Sequence, residues 1–350
     1  MDAKPNVTKE TKNRIRVDYE GKLSLQERLK SKIKASATWI KGVITVFRFI
    51  LMLGVSFVIL FPFFARIANS FMSTKDILDS TVALIPKNFT LDIYKYIILD
   101  NSYFEALLNT TLLSLLCAFI QTLITCLIGY GLAKFKFKGN KLLMGAVVVT
   151  MVIPHATLNL SLIQHFSQFD LLKVISWDYK GIIEILTGAP LDLSNSFWPL
   201  AVLSVFGLAF KNGLYIYLMR QFFKGVPDEL EESAYVDGSG VFRTFFQIIL
   251  PLSVPMMITV FLFSFSWQWT DQFYTKIFFT VLDEETKIYL MPDVFSNVPK
   301  TLSAAVEAVP KYATVIRNTA GMMIIMPLVI VYLFCQRYLV QGIERSGLVG

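Results

Sequence analysis

The sequence predicts an all-α integral membrane protein. Six transmembrane helices are expected, with a short charged helical element at one membrane face between the fourth and fifth. Three observations carry this. Of 350 residues 54% are hydrophobic, 30 are Phe and only 17% are charged, against about 25% charged in soluble domains. Apolar runs recur at about 43–64, 109–133, 142–163, 197–218, 255–279 and 313–334, each near the roughly 20 residues that a helix needs to cross the hydrocarbon. Lys and Arg gather before the first run and between the second and third, the pattern of cytoplasmic segments. Two soluble domains are thereby excluded, and the net charge of +7 is read as membrane orientation before any affinity for nucleic acid.

Residues 1–42 form a basic tail carrying Lys4, Lys9, Lys12, Arg14 and Arg16. No short apolar core precedes a small-residue cleavage site, so a secretory signal is not expected. The first half reads as disordered. Leu23 to Trp39 reads either as an amphipathic helix on the inner membrane surface or as a solvated tail. The first span, about Val43 to Phe64, holds Arg48 near its inner end, where it can snorkel. Pro62 is expected to end it. Residues 65–105 are mixed polar and fit outside. The second span, Asn109 to Ala133, leads into Lys134, Lys136, Lys138 and Lys141, a cytoplasmic loop by the positive-inside rule. Pro154 lies inside the third span, Leu142 to Ile163.

Residues 165–196 lack a basic excess and fit outside, with Ile182 to Leu186 as a short interfacial helix. The fourth span, Phe197 to Leu218, contains Lys211, which must snorkel or face the bundle interior. Snorkelling is favoured, because Arg220 then lies deeper in the cytosol. The fifth span, from Pro255 to Phe279, holds Trp267, Trp269 and Asp271. Trp267 would lie about 18 Å beyond Pro255, past mid-bilayer. An ionisable residue there marks a substrate pathway; the plainer reading is an aromatic belt with Asp271 in external water. Residues 282–312 fit outside. The sixth span, Ala313 to Phe334, contains Pro327. Six spans in residues 43–335 put the tails 1–42 and 336–350 on the cytoplasmic side.

Residues 226–251 are the one long interior stretch that is both charged and patterned. Pro227 suits a first helical position, where its missing N–H is no loss. Asp228, Glu229, Glu231 and Glu232 crowd the opening turns, where the helix dipole favours negative charge. Leu230, Ser233, Ala234 and Asp237 share a face at three- and four-residue spacing. Gly238 should end this helix in a left-handed conformation. Ser239 is expected to cap a second helix through about Ile249, which Leu250-Pro251 should stop.

These residues carry a resemblance. Glu232-Ser233-Ala234, then Gly238, then Ile248, Leu250 and Pro251 are similar to the cytoplasmic loop of binding-protein-dependent ABC importer permeases. Ser233 stands where that family has its first Ala. Ile85–Leu91, Gly129–Gly139, Ile153-Pro154, Tyr217–Phe223, Trp267–Asp271 and Gln336–Gly342 resemble phrases of the maltose-type carbohydrate permeases. The resemblance runs from about Phe61 to Gly350, although the last residues lack the usual Lys. It implies a type I ABC importer permease fold in a bacterial plasma (inner) membrane, with both termini cytoplasmic. Implied partners are two cytosolic ABC ATPase subunits holding ATP and Mg, a second homologous permease, and an extracytoplasmic solute-binding protein, beside the lipid bilayer and with no nucleic acid. Glu232 would pair with a basic side chain of the ATPase. Leu230, Ser233, Ala234 and Asp237 would make the contact, Gly238 the turn, and Pro227, Ile248, Leu250 and Pro251 the frame. The C-terminal tail would reach the ATPase pair.

The chemistry for other functions is missing from the sequence. It contains no Gly-x-x-x-x-Gly-Lys-Ser/Thr phosphate loop, so the chain is not read as an ATPase, nor does any paired nucleophile and base suggest an enzyme. His155 and His165 lack metal-ligand spacing. Cys117, Cys126 and Cys335 read as free thiols. No cofactor is expected on this chain. The expected function is one permease half of an ATP-driven importer of a sugar, an oligosaccharide first. Alternatives are an importer permease for a peptide or glycerophosphodiester, and an ATP-independent carrier or channel.

Overall fold

The computed structural model describes residues 7–10, 16–19, 36–170, 181–279 and 286–347. The described chain falls into two compact units, Met1–Arg66 and Ile67–Gly350. In the first, Val7–Glu10 (β1) and Arg16–Tyr19 (β2) pair antiparallel, with Val7 opposite Tyr19. A backbone hairpin therefore occupies part of the stretch expected to be disordered. The helix expected over Leu23 to Trp39 lies mostly outside the described residues. Ser36–Ser70 forms α1, which runs through Pro62 instead of ending there. In hydrocarbon, unravelling the helix would orphan several backbone groups, whereas Pro62 removes only one bond.

The second unit begins with two short helices, Thr74–Leu78 (α2) and Asp92–Asp100 (α3), and then the long α4, Tyr103–Lys134. Asn140–Val152 (α5) and Asn159–Ser167 (α6) follow, then Ile182–Thr187 (α7), Trp198–Val205 (α8) and Asn212–Lys224 (α9). Glu229–Val236 is α10 and Val241–Thr244 is α11. A π-helical turn, Phe245–Ile249, joins α11 to Leu250–Trp269 (α12). Phe273–Phe278 (α13), Met291–Ser296 (α14), Ser303–Ala308 (α15) and Pro310–Gly347 (α16) complete the chain.

Helix α4 is the centre of this unit. Its long apolar stretch packs against α8, α9 and α12. Gly129 is a point of close approach: a Cβ there would lie 2.6 Å from the Met219 Cβ and 3.0 Å from the Arg220 backbone nitrogen on α9. Midway along α4 the buried Gln121 ties three helices together. Its Nε2 donates to Ser204 Oγ on α8, and its Oε1 accepts from Ser264 Oγ on α12, at 3.3 and 2.7 Å. Such interhelical side-chain bonds are worth about 0.6–2 kcal/mol in a membrane.

Trp39–Ser70, Tyr103–Lys134, Val241–Trp269 and Pro310–Leu339 are each long and apolar enough to cross a bilayer. The expected third span is bent by 94° between Val152 and His155. Pro154 has no N–H to give, and it holds Ile153 extended at ψ 122°, as the residue before Pro prefers. The expected fourth span is broken as well. The amides of Leu208 and Ala209 both donate to Leu203 O, and Gly207 and Lys211 take φ of +69° and +65°, values that a right-handed helix cannot continue. The fifth span starts earlier than expected. Leu250-Pro251 does not stop a helix, because the π turn before it widens the backbone and lets α12 follow directly. Leu250 N–H donates five residues back, to Phe245 O. The span also ends earlier, at Trp269 instead of Phe279.

At the other end from α10, the two long polar segments close on each other and on α4. Asn101 Nδ2 donates to Asn297 O, Thr301 N–H to Asp100 Oδ2, and Met291 N–H to Thr110 Oγ1, at 2.9, 2.8 and 2.9 Å.

Candidate functional sites: a docking helix and an aromatic–basic cluster

Helix α10 is the charged element that the sequence singled out. Its end is a Schellman cap. Ser239 N–H donates to Ala234 O at 2.9 Å and Gly238 N–H to Tyr235 O at 3.0 Å. Gly238 supplies the left-handed step at φ +81°, where a Cβ would be strained. The next helix starts from Gly240 instead of a Ser239 cap; Ser239 Oγ instead accepts from Thr244 Oγ1 at 3.0 Å.

The four-residue face proposed from spacing is divided. Ala234 is buried against the chain's own core, so its small side chain lets α10 lie close to the bundle. Leu230, Ser233 and Asp237 are exposed, as are Glu232 and Gly238. Among the flanking residues Pro227 is exposed, Leu250 and Ile248 are half-buried, and Pro251 is exposed on α12. Val236, singled out by nothing in the sequence, is 87% exposed. It lies one turn on from Glu232 and next to Asp237, on the exposed side of α10.

The inner side of α10 is pinned by residues that sequence reasoning did not assign to the site. Tyr130 O–H donates to Glu231 Oε1 at 2.9 Å, both groups being buried. Removing that donor would leave a buried carboxylate underpaired, a loss of about 1–3 kcal/mol. Tyr130 is itself wedged among Phe135, Phe223 and Phe245, with ring centroids 4.7–5.5 Å away. One turn on, the buried Lys134 donates to Val226 O and to Asp228 Oδ1. Its ammonium holds the Asp228 carboxyl below the usual carboxylate range, chiefly by that hydrogen bond. Asp228 stays in solvent, so the pair adds little to stability; the Lys134 bond to the backbone fixes the chain's path. The only sequence signal was that Tyr130 and Lys134 are one helical turn apart at the basic end of α4.

A second constellation forms where the α5–α6 bend and the α8–α9 break meet α12. Lys211 Nζ lies 4.8 Å from the Phe210 ring centroid and 5.0 Å from that of Trp267. His155 lies tilted against Phe210, ring centroids 4.7 Å apart, and its Nδ1 is 3.1 Å from the Tyr274 hydroxyl. A cavity of about 260 Å³, lined by Ile153, Pro154, His155, Gly207, Lys211 and others, opens beside them. Lys211 is thus turned onto two rings at a helix break, the interior choice and not the favoured snorkelling one. Cation–π contacts offset about 0.5–2 kcal/mol, against about 2.5–3.5 kcal/mol for a Lys at the centre of a membrane helix.

The three pathway candidates separate. Trp267 joins this cluster. Trp269 does not: it is buried in the core, and its Nε1 donates to Ile324 O at 2.9 Å. Asp271 caps α13, accepting from Phe273 N–H and Thr275 N–H at 3.1 Å each. That cap explains why α12 ends at Trp269, and it sets α13 so that Tyr274 meets His155.

Residues 121–345 match the family model for the binding-protein-dependent transport system inner membrane component. The chain belongs to that family. It is therefore a multi-pass membrane component of a transport system. The match begins in the middle of α4 and takes in both constellations. Among relatives, the polygalacturonan/rhamnogalacturonan transport system permease protein YtcP of Bacillus subtilis is 26% identical over 87% of this chain and 97% of its own length. The alpha-glucoside transport system permease protein AglG of Rhizobium meliloti is 29% identical over 77% of this chain and 62% of its own. The galactooligosaccharides transport system permease protein GanQ of Bacillus subtilis is 26% identical over 87% of this chain and 95% of its own. In fold, the chain resembles a bacterial ABC transporter involved in import of the acidic polysaccharide alginate, with TM-score 0.61 and 19% identity, over 87% of this chain and 98% of that one.

Proposed function

We propose that this chain forms half of the translocation pathway of an ATP-driven saccharide importer in a bacterial plasma membrane. The observation that carries the coupling role is the two-sided build of α10. Its inner side is fixed to α4 through Tyr130 and Lys134, while Leu230, Glu232, Ser233, Val236 and Asp237 point away from the chain. A rigid knob of this kind suits a socket on a cytosolic ATPase, because packed elements switch between discrete arrangements and do not deform smoothly. Glu232 pairs there with a basic side chain. ATP and Mg belong to that partner, and a second permease of similar fold completes the pathway. An extracytoplasmic binding protein delivers the solute.

The saccharide assignment rests on YtcP, AglG and GanQ, each named for a saccharide transport system. The six-span reading counts the bent α5–α6 pair and the broken α8–α9 pair as one crossing each, with residues 1–42, the Lys134–Lys141 loop, α10 and the C-terminal tail all cytoplasmic. A tagged chain, extracted gently, should bring an ABC ATPase and a second permease with it, and cells lacking the chain should lose uptake of a labelled oligosaccharide. Unchanged uptake of every saccharide together with loss of peptide or glycerophosphodiester uptake would replace the sugar assignment. Recovery of the chain alone, still transporting without ATP, would replace the importer reading.

A further inference from the structure

Resting on the saccharide reading, we propose that the cluster at the two helix breaks binds a carboxylate-bearing saccharide, with Lys211 as its counter-charge. Lys211 stands at the start of α9, whose 13 residues run from Asn212 to the basic end at Lys224. That is about 20 Å along the helix, inside a hydrocarbon core of about 30 Å. An ionisable residue at that depth marks a solute path unless a partner neutralises it. Among the described residues no carboxylate pairs with Lys211, whereas Lys87, Lys134 and Lys287 are paired with Asp79, Asp228 and Asp293. The rings of Phe210 and Trp267 compensate the ammonium only in part.

The rest of the cluster has the chemistry of a sugar site. Trp267 is about half exposed and offers an apolar face to a pyranose ring. His155, held through its Nδ1 by the buried Tyr274 hydroxyl at 3.1 Å, lines the cavity and supplies a hydrogen-bonding ring beside it. Discontinuous spans are where membrane transporters build such sites, since broken backbone is tolerated where it lines a cavity. A neutral sugar would leave the ammonium without an opposite charge; a uronate would supply it.

The test uses the complete reconstituted transporter in proteoliposomes, with ATPases and binding protein. ATP-dependent uptake is measured for oligogalacturonates and oligomannuronates, for their methyl esters, and for neutral maltodextrins. Lys211→Asn removes the charge with a residue that accepts positive φ; Lys211→Arg keeps it. Dividing each variant's rate by the wild-type rate for the same sugar cancels selection by the binding protein. In Lys211→Asn the acid ratio should fall at least tenfold below the ester ratio, and Lys211→Arg should restore most of it. Trp267→Leu should lower both alike. Equal acid and ester ratios in Lys211→Asn overturn the assignment. Wild-type uptake of maltodextrins without uronates also overturns it and leaves the saccharide reading standing, whereas uptake of no saccharide overturns both.

Discussion

At the scale of single residues, two neighbouring glutamates on α10 have opposite surroundings. Glu231 is buried on the Tyr130 hydroxyl, and Glu232 faces solvent. Tyr130→Phe should therefore lower stability by about 1–3 kcal/mol, read as a reduced thermal midpoint in detergent. Glu232→Lys should leave that midpoint within error and abolish transport-coupled ATP hydrolysis. Gly129→Leu should destabilise by about 1–3 kcal/mol or more, because the new side chain meets the α9 backbone and not a flexible tip. The acidic first turn at Glu232 and the helix stop at Gly238 were legible because their cues are local. Glu231 was not, since the partner that buries it lies 101 residues away. Ala234 was read on the outward face for the same reason: spacing places residues together on a helix but does not say which way the face turns.

At the scale of elements, prolines were visible but their consequences depended on context. Pro154 bends its span, Pro62 is carried inside α1, and Pro251 is absorbed by the π turn at Phe245–Ile249. One residue type thus gives three outcomes, set by what surrounds the missing N–H. The break at Phe206–Lys211 was not legible: no Pro marks it, and the positive φ at Gly207 and Lys211 occurs where α8 and α9 are each packed against α4. Restoring the N–H with Pro251→Ala lets the π turn relax to an ordinary helix, which would rotate α11 and α10 by part of a turn about the α12 axis. That variant should retain its thermal midpoint and show transport reduced several-fold with futile ATP hydrolysis. Transport at the wild-type rate would mean that the π turn only accommodates the proline.

At the scale of the whole molecule, the helical membrane fold followed from composition and run length, and the family match covers residues 121–345. Long-range packing decided what pattern could not: that α4 is the hub, that the two long polar segments meet at one end, and that α10 is clamped at the other. Through these contacts α10 is packed on α4, which in turn packs on α9, at whose start Lys211 stands. We propose that α10 is gripped on the cytosolic side by an ATP-driven partner. The most direct measurement is cross-linking in a chain whose Cys117, Cys126 and Cys335 are replaced and Val236→Cys is introduced. A short bifunctional maleimide applied to inside-out vesicles should join that cysteine to an ABC ATPase subunit, at a yield that changes when ATP is bound. Labelling of the cysteine only from the outer face, or no adduct with any ATPase at any nucleotide state, would contradict the account.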